Sequence, residues 1–162
     1  DLGATASHCV SLGQQPLEVQ RATAERVAQA GVHVIALPQT NLFLQGRGCR
    51  PTPRGLTAVD VLRDAGVSVA AGADNLQDPF NPIGRACAFE IAGLMVVAAH
   101  LLPDDAWGTV STAAAAVLGR ESGIAPGKPA DLLAVPAATV REAIAFAPPT
   151  RLRWYAGTPT PA

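Results

Sequence analysis

An alternation through the first half of the chain restricts its fold more than anything else. Ala4 to Val10 is a short run of small and partly β-branched residues, as a strand requires. Ser11 to Pro16 turns the chain. Leu17 to Ala30 then sets Leu17, Ala24, Val27 and Ala28 on one face and most of Glu18, Arg21, Glu25 and Arg26 elsewhere. This is an amphipathic helix, and Gly31 supplies its stop. Val32 to Leu37 is apolar enough for a strand covered on both faces. After a long loop, Gln39 to Pro53, a short helix over Thr57 to Ala65 ends at Gly66 and feeds a third strand beginning at Val67. Strands joined through helices run parallel, so the sequence predicts three consecutive βα units.

Three units cannot close an eight-stranded barrel. Left as an open sheet, they would expose unpaired backbone at both edges. The chain also opens at Asp1 without a methionine. Together these features lead us to expect the C-terminal part of a larger fold. Beyond Pro82 the pattern changes to a long apolar helix, Ala86 to Leu101, and another from Pro103 through Val117. A Pro/Gly turn at Gly123 to Pro129 then leads into a strand over Asp131 to Val135. A short helix (Thr139 to Ala145), a strand (Arg151 to Tyr155) and a Gly/Pro-rich tail follow. This last stretch reads as a separate small β element.

Composition narrows the partners. With 49% apolar and 15% charged residues the chain is not disordered, and with 4% aromatics its core must be built from small aliphatic side chains. A net charge of −1 with interspersed signs gives no electrostatic reason to expect nucleic acid or an anionic membrane. The most apolar stretch, Ile91 to Leu102, is far shorter than the ~20 residues of a membrane span. Cys9, Cys49 and Cys87 form no C-x-x-C pair, which points to a reducing cytoplasm.

The third strand, Val67 through Gly72, runs out on Asp74, and a loop punctuated by Pro79 and Pro82 follows. Chemistry in α/β barrels sits at the carboxyl ends of strands, so Asp74 is a candidate catalytic or metal-binding carboxylate. An Asx turn or helix cap is the alternative. Asp78, before Pro79, fits a turn-ordering role better than a metal one. His33 fits a packing or surface role within its strand, and His100 fits a partner to a helix C-terminus. Cys9 beside His8 cannot form a dyad if both lie on one strand, since neighbours point to opposite faces. Arg47, Arg50 and Arg54 read as a solvated loop.

Four segments then resemble the amidohydrolase superfamily, and within it the cytosine deaminase-like branch. Thr5-Ala6-Ser7-His8 is similar to that branch's sixth barrel strand, which ends in a functional His. Asn41 to Arg47, through Gln45 and Gly46, is similar to its loop after strand seven. Gly72-Ala73-Asp74-Asn75 through Asp78-Pro79-Phe80 is similar to its strand-eight motif. Gly123 to Leu133 is similar to the turn and strand by which such enzymes re-enter a β-sandwich domain.

The resemblance implies strands six to eight of a (β/α)8 barrel with their following helices over residues 1–120. Residues 121–162 would then be part of a small β-sandwich domain. It implies hydrolytic deamination of a small nitrogen heterocycle with one divalent metal, zinc or iron. Asp74 would be metal ligand and proton acceptor, and His8 would lie beside the reacting bond. Asn75, Gln45 and Phe80 are the implied substrate contacts. The remaining metal ligands and a catalytic Glu would lie in an N-terminal barrel portion, without which the chain should be inactive. A homo-oligomer is compatible with this reading. The branch carries His before the metal Asp, an acid after it and Trp after the Asp-Pro. Ala73, Asn75 and Phe80 stand there in this chain, so cytosine, creatinine, an aminotriazine or another pyrimidine all remain open as the ring. A non-catalytic βα domain or fragment that binds a small molecule or partner is the competing expectation.

Overall fold

In a computed structural model, which describes residues 3–160, the βα alternation forms a three-stranded parallel sheet. The strands are β1 (Thr5–Ser7), β2 (His33–Ala36) and β3 (Val69–Ala71), in the spatial order β1-β2-β3. Thr5 pairs with His33 and Val34 with Val69, so the three strands end together on one edge. Helix α1 (Leu17–Gln29) links β1 to β2 and packs against α3 (Val59–Asp64), which precedes β3. Only Ala24 of α1 is fully buried, whereas Leu17, expected on the inner face, is largely exposed. α4 (Ala88–Ala99) and α5 (Pro103–Val110) close the core, in which Val34, Leu62, Ile91 and Met95 are sealed from solvent.

Several boundaries differ from expectation for local reasons. The loop after β2 begins with a helix, α2 (Pro38–Leu44). Pro38 occupies its first turn, where proline's fixed φ and missing N–H suit a helix start, and no glycine intervenes until Gly46. The second long helix breaks at Ser111, whose φ and ψ of −123° and −90° separate α5 from α6 (Thr112–Val117). The Ser111 hydroxyl donates to the Trp107 carbonyl, a side-chain bond that competes with the helical ladder. The Gly/Pro-rich tail is not irregular. Ala156 and Gly157, both at positive φ, turn β5 (Leu152–Tyr155) back into β6 (Thr158–Thr160), as a two-residue hairpin demands. β4 (Leu132–Ala134) pairs antiparallel with β5, making a second sheet in the order β4-β5-β6. Pro159 is tolerated because β6 is an edge strand. α7 (Val140–Phe146) lies between β4 and β5, packs on α4 and α5, and is capped by Thr139, whose hydroxyl accepts from the Glu142 N–H. No helix among the described residues is long and apolar enough to cross a membrane.

Candidate active site

The common carboxyl edge of β1, β2 and β3 gathers the chain's polar candidates. β1 stops at Ser7, and His8 turns out of the sheet at a φ of 64°. Three contacts hold it there. Its N–H donates to the Ile35 carbonyl at 3.0 Å, and its carbonyl accepts from the buried Thr57 hydroxyl. Its ring Nδ1 meets Asn41 Nδ2 at 2.8 Å. On the far side of the sheet, Gly72 donates to Ala36 and ends the pairing, and Asp74 also takes a positive φ of 60°. Both non-glycine residues sit in a backbone region that costs free energy, so the surrounding contacts must impose it.

These turns bring His8 Nε2 to 3.8 Å from Asp74 Oδ2. That exceeds a hydrogen bond but lets one reacting atom touch both groups. Neither side chain is sealed: 41% of the His8 side chain and 25% of that of Asp74 face solvent. Both groups are therefore open to solvent at the strand ends.

The loop behind Asp74 is tied to itself. Asp78 accepts from Asn75 Nδ2 at 2.6 Å and from the N–H groups of Phe80 and Asn81 at 2.9 and 3.0 Å. Asn81 is buried, and its amide donates to the Asn75 carbonyl at 2.9 Å. Partial desolvation pushes the Asp78 carboxyl up, but the bonds from Asn75, Phe80 and Asn81 outweigh it, and the pKa is lowered overall. Asp78 thus orders the turn, as its place before Pro79 suggests. The Asn75 side-chain amide is already engaged in that turn, while Phe80 projects from it, 55% exposed. Gln45 lies one turn beyond Asn41 at the end of α2, packed against Gly55, whose bare α-carbon it crowds.

His8 and Cys9 both lie past the end of β1 at positive φ, so strand alternation is not what separates them. Cys9 instead packs against the core while its thiol turns to the Ser7 carbonyl. The cation at the end of α4 is Arg54, which donates to the Ala98 carbonyl and to His100 Nε2, both at 2.6 Å. His100 itself forms the left-handed cap at a φ of 58°. Arg54 therefore has a structural role that its loop did not suggest, and Arg47 stacks over Phe43 at 4.0 Å. Asn41 opens the segment that resembles a strand-seven loop, but the sequence assigns it no role of its own; it lies midway along α2, about one turn after β2.

Among the described residues no group of three or more His, Cys, Asp or Glu could hold a metal ion. His8 and Asp74 form a two-group site, both side chains partly exposed.

Residues 1–160 of the 162 match the model of the family described as "Amidohydrolase family". This chain belongs to the amidohydrolase family. It is 42% identical over 135 residues to a pterin deaminase of Rhizobium rhizogenes strain K84, covering 80% of this chain and 31% of that protein. Its structure matches 5-methylcytosine deaminase from Klebsiella pneumoniae, solved with phosphonocytosine, at a TM-score of 0.86 and 29% identity. That match covers 97% of this chain and 40% of the enzyme. N-isopropylammelide isopropylaminohydrolase from Burkholderia multivorans matches at a TM-score of 0.78 and 29% identity, over 96% of this chain and 38% of that one. The chain thus spans well under half the length of each of these relatives, and the mixed α/β architecture agrees with theirs over that part.

Proposed function

We propose that β1, β2 and β3 are the sixth to eighth strands of a (β/α)8 barrel and that the complete protein hydrolytically deaminates a small nitrogen heterocycle. The carrying observation is the convergence of His8 and Asp74, 3.8 Å apart, at the carboxyl edge of a parallel sheet. The barrel reading is supported by β1 and β3, which each pair on one side only among the described residues. Residues 1–120 are then barrel and 121–162 belong to a small β domain, in keeping with the separate antiparallel sheet. The missing partner is the N-terminal barrel portion, and three free cysteines suit a cytoplasmic setting.

The relatives are named for rings that carry exocyclic nitrogen: a pterin, a methylated cytosine and an ammelide. Hydrolysis at such a ring carbon adds water, passes through a tetrahedral centre and expels the amine. Asp74 takes the proton of the attacking water, and His8 steadies the charge that develops across the reacting bond. Phe80, exposed on the loop, and Gln45 and Asn75 contribute to ring recognition.

The family implies one divalent metal, zinc or iron. Asp74 offers a hard, partly exposed carboxylate suited to it, but this chain's described residues do not complete a three-ligand site. The remaining ligands come from outside the chain. When bound, the metal supplies a water made acidic enough to ionise near neutral pH.

The test is ammonia release by the complete, metal-supplied protein from pterins, cytosine, 5-methylcytosine, aminotriazines and creatinine. Release from at least one ring is expected, with Asp74→Ala inactive on it. A well-folded, metal-loaded protein that deaminates none of them overturns the reading.

A further inference from the structure

The buried amide of Asn41 is more than a packing group. Asn41 is 3% exposed, sits in the first turns of α2 one residue past Thr40, and points its Nδ2 at His8 Nδ1 over 2.8 Å. An amide nitrogen carries only hydrogens, so in this bond it must donate. Nδ1 is then the acceptor and holds a lone pair. In the neutral ring the single proton is left on Nε2, the nitrogen that faces Asp74.

We propose that Asn41 is the positioning residue that fixes His8 in the Nε2–H tautomer and aims that N–H at the gap beside Asp74. The backbone contacts from Ile35 and Thr57 set where His8 stands, and they leave ring rotation and tautomer free. Asn41 alone among the described residues is within hydrogen-bond distance of the ring, Asp74 standing 3.8 Å away. Among the described residues the other end of the amide, Oδ1, is buried and accepts no hydrogen bond. The hydrogen bond of this side chain among the described residues is thus made by its nitrogen.

The catalytic consequence rests on the deaminase reading above. A proton on Nε2 makes His8 a hydrogen-bond donor to the substrate, while Asp74 remains the acceptor beside it. One site then presents a donor and an acceptor within 3.8 Å, which matches a reaction that must take a proton from water and stabilise charge at the ring. The tautomer itself does not depend on that reading.

The experiment uses the complete, metal-loaded protein with 15N-labelled histidine and long-range proton–nitrogen correlation, His8 being assigned by its loss in His8→Gln. In the wild type we expect Nε2 protonated and Nδ1 bare. Asn41→Asp replaces the donor by a carboxylate that only accepts, so Nδ1 should acquire a proton. Asn41→Leu should leave the ring without a fixed tautomer. Both variants should lose kcat by about 10–100-fold while KM stays near the wild-type value, as expected when a group that orients a functional histidine is removed. A wild-type His8 carrying its proton on Nδ1 overturns the proposal even if neither variant folds. So does Asn41→Asp with an unchanged nitrogen pattern and unchanged kcat. If the wild type deaminates none of the rings, the deaminase reading fails, while the nitrogen pattern still decides the role of Asn41.

Discussion

Gly84 offers a sharp test of how the loop behind Asp74 is held. A Cβ at this position would lie 2.4 Å from the Asn75 carbonyl oxygen, 2.5 Å from Asn81 Nδ2 and 2.9 Å from Asn81 Cγ. Ordinary contact begins near 3.4 Å, so Gly84→Ala requires a shift of roughly 1 Å in groups with little freedom. The carbonyl belongs to the residue after Asp74, and the amide is buried and donates to that same carbonyl. Overpacking of this kind costs about 1–3 kcal/mol, and losing the Asn81–Asn75 bond adds about 0.5–1.5 kcal/mol. The substitution should therefore destabilise by roughly 2–4 kcal/mol, read as a lowered midpoint in urea with unchanged slope. Turnover should fall in the folded fraction too, because the strain falls on the segment that aims Asp74. Gly93→Ala is the control. Gly93 lies inside α4, its Cβ would meet only Ile144 of α7, at 3.7 Å, among the described residues, and alanine is the better helix former by about 1 kcal/mol. A Gly84→Ala protein as stable and active as wild type would refute the packing argument.

Three further outcomes are expected. Thr139→Ala removes the hydroxyl that accepts from the Glu142 N–H and should cost about 1 kcal/mol in urea unfolding, with activity per folded molecule unchanged. Asp78 has its pKa lowered in the folded chain, so its contribution is present above the ordinary carboxylate range and is lost as pH falls through the lowered value. Wild type and Asp78→Asn should accordingly differ in stability at neutral pH and converge in acid, whereas a gap that widens in acid contradicts the assignment. Burial raises the Cys87 thiol, but the N–H groups of Glu90 and Phe89 at the start of α4 and the Arg151 side chain outweigh it, while burial alone raises Cys9. Iodoacetamide at neutral pH should therefore label Cys87 before Cys9, as followed by peptide mass spectrometry, and the reverse order would sink the claim.

The parallel sheet was legible because its signals are local. Three apolar runs are joined by two helical segments, each closed by a glycine (Gly31 and Gly66), and the strands pair in chain order. What escaped was also local but carried by single residues. Pro38 reads equally as the end of a strand and the start of a helix, and taking it as the former hid α2 and with it Asn41. Ser111 breaks a helix that alanine-rich flanks would continue, and Ala156 adopts a positive φ that its side chain does not advertise. At the site, the strand-end position of Asp74 follows from the apolar run that stops before it, and that of His8 from the resemblance of Thr5 to His8 to a sixth barrel strand. Their distance does not, because it depends on two left-handed turns that non-glycine residues seldom adopt. The long-range bonds from Arg54 to the end of α4 and from Thr57 to His8 join residues more than forty positions apart, where no periodicity reaches.

The central claim is that Asp74 and His8 are one site with divided duties, and metal content measured beside turnover tests it most directly. In the complete protein, Asp74→Ala should lose both bound metal and ammonia release, while His8→Ala should lose ammonia release and retain most of the metal. An Asp74→Ala protein that keeps one metal per chain and deaminates at the wild-type rate would contradict the account.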